Sequence, residues 1–368
     1  MGVPGAKARS SNFELLRIIS MLMIVALHYS VYSFVDQGQA LSDRGLAVLK
    51  LMEYGGRIGV DMFVLISGYF LVAAKPRVKK VLKLWLQVSI VSAVITLAFF
   101  LTGTETDARG FIEGFFPLPY SVYWFPTTYF VLYLFSGYIN ALIKALSRES
   151  LLGLIWLLLA ICVILPSFFA ARMASSNLLL FFMLYLIAAY IRLYSPRLFE
   201  SKRCLPIGVG LFLLFLLVFF DLSVWGRDVP MLARRGVNFS SPEKATTVLT
   251  SVFLFAGFKN LELKSSRFIN VLGASTFGVY LIHDNPHMWD FWWKDTLRGP
   301  AHVDKPYMLL YAVAAVLLTY TVCTLLDMFY RYCVEKPMWK ALDKHWDSWA
   351  EKLAGLWKRL RVGAGKNI

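Results

Sequence analysis

Charge is what this sequence has least of. Only 17% of its 368 residues are Asp, Glu, Lys or Arg, against about a quarter in an ordinary soluble domain. With 58% of the residues hydrophobic, a water-soluble globule would carry more apolar surface than its polar residues can cover. Cysteine is equally thin. Cys162, Cys204, Cys323 and Cys333 form no C-x-x-C pair and three lie inside apolar blocks. A disulfide framework or zinc site is thereby disfavoured, and a small buried apolar residue is the expectation for each. No internal repeat is visible, which argues against an inverted-repeat transporter, and no long flexible linker divides the chain. No cleavable leader is expected either. Lys7 and Arg9 precede an apolar run, but that run contains Glu14, Arg17 and His28 and no small-x-small site follows. It reads as a retained first helix.

What is present is apolar length. Blocks such as Leu151–Phe169, Leu205–Phe220 and Tyr307–Val322 each approach the ~20 residues that cross a bilayer. The expected fold is therefore all-α: a polytopic integral membrane bundle of about ten transmembrane helices. The expected spans are 13–33, 56–74, 81–101, 122–143, 151–170, 178–194, 205–221, 245–258, 267–283 and 306–332. A net charge of +15 would suggest nucleic acid in a soluble chain. Here the cations sit in the tails and in short even-numbered loops, so they speak for topology, with both termini cytoplasmic, and not for nucleic acid. Residues 1–337 are expected to form the membrane domain and 338–368 a basic amphipathic tail. In that tail Trp339, Leu342, Trp346, Trp349 and Leu353 recur at spacings of three and four among lysines, as in a helix lying on a lipid surface. A coiled-coil seam is the alternative.

Ionisable groups inside such spans are costly and usually line a bundle interior or a watery cavity. Arg17 and His28 are eleven residues apart, which returns to nearly the same helix face with a rise of ~16 Å. Snorkelling explains Arg17 as well as function does. His28, past mid-membrane, has few structural uses. Asp61, in Gly59-Val60-Asp61-Met62-Phe63, falls near the outer third of the second expected span and needs a partner or a cavity. His283 closes the ninth span, on the same side of mid-membrane as His28. Arg331 and Glu335, four apart, fit an ion pair. The run Lys75-Pro-Arg77-Val-Lys79-Lys80-Val-Leu-Lys83 is mostly positive-inside charge, but clustered cations also attract phosphate. From these residues alone, a membrane enzyme and a transporter both stay open.

Together the segments resemble the acyltransferase 3 family of bacterial integral membrane proteins, from Asn12 to Pro337. The resemblance rests on Arg17 and His28 at their spacing and on Gly59, Asp61, Phe63, Ser67, Gly68 and Tyr69. Trp124-Phe125, Tyr280 with His283, and Glu335 with Pro337 complete it. The chain has Lys80 and Lys83 where many members have arginines, which keeps charge but loses the planar fork.

The resemblance implies transfer of an acetyl group from cytoplasmic acetyl-CoA, a cosubstrate with no bound cofactor, to a hydroxyl of a cell-surface or lipid-linked carbohydrate. It implies a multi-pass protein of a bacterial cell membrane. It carries essential roles onto Arg17 and His28. Acyl transfer to an alcohol needs a general base, and His28 is the candidate, oriented by Asp61 or His283; an acyl-histidine is the minority alternative. Glu335 joins the candidate catalytic set. Arg17, Lys79, Lys80 and Lys83 are the candidate holders of the donor phosphates, and no metal is called for. The rival from another class is a flippase or transporter for a sugar or lipid-linked glycan, which would release no free CoA.

Overall fold

In lipid, backbone amides and carbonyls find no water, so a spanning segment must satisfy them internally. The computed structural model describes residues 10–34, 41–103, 108–169, 176–226, 228–229, 231–232, 236, 241–344 and 346, and among these it is helical with no strand. The long helices are α1 (Ser11–Tyr32), α2 (Asp43–Leu71), α3 (Val78–Leu101), α5 (Trp124–Ala145), α6 (Arg148–Phe169), α7 (Asn177–Tyr194), α8 (Cys204–Trp225), α9 (Ala245–Lys259), α10 (Arg267–His283) and α11 (Met308–Tyr330), with a short α4 (Ala108–Phe115) after α3. Each expected span overlaps one of these helices. Among the described residues, six helical stretches are long and apolar enough to cross a membrane: α1, α3, α6, α7, α8 and Met308–Lys344. Helix α9 is apolar but shorter.

Two details differ from the sequence expectation. Helix α2 begins at Asp43, well ahead of residue 56, because Ser42 caps it: its hydroxyl accepts from the Gly45 amide at 3.1 Å. Asp304 bonds the same Ser42 through its amide and hydroxyl. The charges of Lys50 and Glu53, paired at 2.7 Å, hide this part of the helix from a hydropathy reading. Secondly, Cys333 is exposed, whereas Cys162, Cys204 and Cys323 are buried as expected.

The core is built on α1 lying antiparallel along α2, with α7, α9 and α10 around the pair. The approach of α1 to α2 is close because glycines face it. A Cβ at Gly59 would stand 2.5 Å from the Ser20 carbonyl oxygen, and one at Gly56 2.3 Å from Leu27. Small residues at helix contacts are how membrane bundles gain packing without a hydrophobic driving force. Gly68 serves the same end against the Tyr185 backbone of α7.

The chain divides into two compact units, Met1–Cys323 and Thr324–Ile368, with the division inside α11. In the second, Arg331–Glu335 forms a π-helical turn, and Arg331 Nε lies 4.0 Å from Glu335 Oε2, the pair expected from their spacing. Helical structure continues to Lys344; most of the expected amphipathic tail lies outside the described residues.

The glycine contact gives a direct test. Gly59→Ala should destabilise the protein by about 1–3 kcal/mol, the usual cost of overpacking, since the atom met is backbone. Gly210→Ala, where a Cβ meets nothing within 4 Å, should leave stability unchanged. Melting of the detergent-solubilised variants, followed by size-exclusion, reads the difference; equal melting would contradict the α1–α2 packing.

Candidate active site

Helices α1 and α10 start from one polar latch. The Ser266 amide donates to Ser11 Oγ at 2.9 Å, and Ser11 Oγ donates to Asn270 Oδ1 at 2.8 Å. Beside it, Asn12 Nδ2 donates to the carbonyls that end α9, Phe258 at 3.0 Å and Lys259 at 3.2 Å. From this latch each helix runs seventeen residues to a histidine, Ser11 to His28 and Ser266 to His283, a climb of about 25 Å in both cases. Parallel helices pinned at the base and equal in run deliver their histidines to the same height. His28 Nδ1 lies 2.9 Å from His283 Nε2.

Hydrogen-bond bookkeeping fixes the protons in this pair. His283 Nδ1 is 2.6 Å from the Val279 carbonyl, which can only accept, so His283 carries its proton on Nδ1. The Nε2 of the neutral ring is then an acceptor, and the proton between the rings belongs to His28 Nδ1. What remains on His28 is an Nε2 lone pair that accepts no hydrogen bond from a described residue. The dyad thus presents one basic nitrogen, held in orientation by the second ring and, through it, by the α10 backbone.

Asp284 follows directly on His283. Its Oδ1 accepts from the Tyr32 hydroxyl at 2.7 Å and stands 3.5 Å from His28 Nδ1. The Trp289 indole donates to the Asp284 carbonyl at 3.2 Å, and its ring stacks on Tyr32 at 4.6 Å. Asn285 donates to the Tyr123 hydroxyl at 2.6 Å, which donates to the Leu281 carbonyl at 3.0 Å. Trp293, fully buried, meets His283 edge-on. The segment after α10 therefore walls the dyad with aromatic rings and sets one carboxylate beside it. Arg57 is an electrostatic neighbour of both His28 and Tyr32. Out of water such pairings act at low dielectric and gain strength accordingly.

Arg17 sits eleven residues down the same helix, about 16 Å away along the axis. It does not simply snorkel: its Nη1 donates to Glu14 Oε1 at 2.7 Å, and Glu14 in turn packs on Gly273 of α10. That bond uses one of the five guanidinium donors. Tyr129 of α5 is an electrostatic neighbour of Arg17, and Tyr133, one turn on, lies against Arg77 at the foot of α3. Lys79, Lys80 and Lys83 occupy the first turns of α3, with Lys79 half-buried and the others exposed.

Asp61 is placed differently from the sequence expectation. Because α2 starts at Asp43 and Gly59 packs on Ser20, Asp61 lies level with Ser20, about 12 Å below His28 along α1. It is fully buried, with Arg57 and Glu243 as its electrostatic neighbours and Ser251 close by. The structure therefore joins His283, and not Asp61, to His28. Glu335 belongs to the second compact unit, beside Arg331.

Sequence reasoning missed Asp284, Tyr32, Asn285, Tyr123 and Arg57 as parts of the site. For Asp284 a signal existed, since it adjoins a candidate histidine in His283-Asp284-Asn285-Pro286. For Tyr123 and Tyr32 none did, as interfacial tyrosines are common in membrane helices.

The proton assignment is measurable. In protein labelled with nitrogen-15 histidine, both rings in their neutral form should show a protonated Nδ1, and His28 Nε2 should give an unprotonated-type signal, identified by its loss in His28→Gln. A proton on His28 Nε2 would overturn the relay.

Comparison with known proteins bears on what such a site does. A family model described as an acyltransferase domain, that of acyltransferase 3, matches residues 10–328. No curated protein and no solved structure matches the chain. The matched stretch runs from the latch residues through the histidine dyad and into α11, so the chain belongs to the acyltransferase 3 family and is a membrane acyltransferase.

Proposed function

We propose that the protein transfers an acyl group, in the first place acetyl, from acyl-CoA to a hydroxyl of a cell-surface or lipid-linked carbohydrate. One observation carries the reading: His28 holds an Nε2 lone pair with no donor among the described residues, backed by His283 at 2.9 Å and by Asp284 at 3.5 Å, on the helix that bears Arg17 about 16 Å away. A sugar hydroxyl is too weak a nucleophile at neutral pH without a base within hydrogen-bond reach. His28 Nε2 takes the hydroxyl proton as the oxygen attacks the thioester carbonyl. The tetrahedral adduct collapses with cleavage of the C–S bond, and the departing thiolate takes the proton back from Nε2. During the step His28 is an imidazolium, and the adjacent Asp284 carboxylate and the His283 Nε2 acceptor offset its charge. No proton transfer is assigned to Asp61 or Glu335.

Arg17 and the lysines at 79, 80 and 83 are suited to the anionic end of the donor. The guanidinium keeps donors in reserve beyond its bond to Glu14, and phosphate accepts two in parallel. The separation of Arg17 from His28 is comparable to the arm between a CoA thioester and its nucleotide phosphates. In this reading ten helices cross a bacterial cell membrane, both termini lie in the cytoplasm, the donor enters at the Arg17 end and the acceptor hydroxyl meets the dyad from the other side.

His28→Ala should lower transfer of label from radioactive acetyl-CoA into envelope carbohydrate by about a hundredfold or more, the usual worth of a general base, with the protein still inserted in the membrane. Asp284→Asn, which keeps an acceptor for Tyr32 but removes the charge, should lower kcat by roughly tenfold with little change in KM for the donor. Near-native turnover by His28→Ala would remove the dyad from the chemistry.

Sidedness is tested separately. Acetyl-CoA added outside inside-out vesicles should acylate carbohydrate enclosed in the lumen. Right-side-out vesicles should require permeabilisation. Equal activity in both would refute the two-sided arrangement and leave acyl transfer standing.

A further inference from the structure

Away from the dyad, α6, α7 and α9 enclose a cavity of about 430 Å³. Its walls include Leu152, Ile155, Trp156 and Ile164 of α6, Ile187 of α7 and Val248 of α9, and its lining is apolar almost without interruption. It opens outward between side chains that remain exposed, among them Trp156 and Leu249. Helices α6 and α7 are among the apolar stretches long enough to span a membrane. In a bilayer such an opening faces hydrocarbon, and an apolar groove there is filled by a chain.

Its dimensions select the chain. From Leu152 to Ile164 the groove follows α6 for twelve residues, about 18 Å. Half of a ~30 Å hydrocarbon core is ~15 Å, so the groove has the depth of a single leaflet. Its far end is tied shut: Lys244 Nζ donates to the Pro166 carbonyl at 2.8 Å and the Ala245 amide to Ser167 Oγ at 2.9 Å. A long isoprenoid chain crossing both leaflets does not fit that closure.

The near end is cationic. Arg148, one turn before Leu152, donates from Nε to the Tyr190 hydroxyl at 3.2 Å and lies over the Tyr194 ring at 5.5 Å. Those contacts orient the guanidinium plane and leave its two terminal nitrogens for another acceptor. Arg197 immediately precedes the lining residue Leu198 and is exposed. Of the nearby acids, Glu200 accepts from Lys259 at 2.7 Å, and Glu149 is turned to Ser147 and the start of α6 while also acting electrostatically on Arg148.

We infer that this groove binds one anionic phospholipid, its acyl chain between α6, α7 and α9 and its headgroup phosphate on Arg148, from the leaflet at that end. Guanidinium pairs with phosphate bidentately, and Arg197 adds a second charge for an anionic headgroup. The inference rests on the membrane reading of the chain and is independent of acyl transfer.

Trp156 is a built-in reporter. The full chain is reconstituted in phosphatidylcholine vesicles, and phosphatidylglycerol with brominated acyl chains, which quench tryptophan on contact, is titrated in. The Trp156 signal is the difference between the native protein and Trp156→Phe. It should saturate at a low mole fraction of brominated phosphatidylglycerol and require roughly tenfold more brominated phosphatidylcholine, the worth of one charged contact at 1.4 kcal/mol per decade. Arg148→Gln should abolish most of that preference. Val248→Phe, or Ala245→Leu should the first variant not fold, fills the groove and should remove saturation with either lipid. Equal quenching by the two lipids at equal mole fraction would mean bulk lipid contact only and would overturn the site. An unchanged preference in Arg148→Gln would overturn it as well.

Discussion

The equal rise of two parallel helices from a shared base is the constraint on which the rest of the site depends. Ser11 and Ser266 are joined by one hydrogen bond, and seventeen residues above each stands a histidine. A shift of one residue in either helix would turn its imidazole by ~100° and move it 1.5 Å along the axis. The 2.9 Å contact between the rings would not survive it. The latch is a group of short polar side chains that bond backbone and one another, and such groups hold register where apolar surfaces would slide.

The same economy governs the charged groups of the bundle. An ion in the hydrocarbon region is tolerated when it faces protein and has a partner. Arg17 has Glu14, and Glu14 finds room only because residue 273 is glycine. Asp284 has the Tyr32 hydroxyl and the His28 ring. Neither pair contributes greatly to stability, since desolvation offsets most of the attraction inside a protein. Their value is positional. They fix a guanidinium at one end of α1 and an imidazole at the other, with the helix as a rigid spacer between them.

Much of this was legible in the sequence, and the illegible part has a physical pattern. The helices were readable because lipid forces apolar runs of fixed length. Arg17 and His28 stood out because one helix dictates their common face through its period alone. The meeting of His28 with His283 was readable only as one of two options, Asp61 being the other, because it depends on the relative height of two helices separated by 255 positions. That height is set by Ser11, Ser266 and Asn270, residues with no chemical signature of their own. Helix α2 was read too short because a salt-bridged turn, Lys50 with Glu53, looks like a loop to any measure of hydropathy. The misplacement of Asp61 followed from that error: depth was counted from the wrong end. Asp284 was adjacent to a candidate residue, but a carboxylate at a helix end is usually solvated, and only the packing of Tyr32 and Trp289 shows that this one is not.

A base made of two histidines differs in kind from one made of a histidine and an aspartate. When a carboxylate alone orients an imidazole, charge accumulates and is neutralised at a single contact. Here the His28 ring is met by a neutral acceptor at 2.9 Å and by a carboxylate at 3.5 Å, and His283 is anchored by the Val279 carbonyl of its own helix. Orientation and charge compensation are therefore assigned to different groups. His283 fixes which nitrogen of His28 is basic, and it does so through backbone geometry that side-chain motion does not disturb. In the proposed reaction Asp284 supplies negative charge while the imidazolium exists. In the proposed reaction that division keeps the base in its direction whether or not either substrate is present.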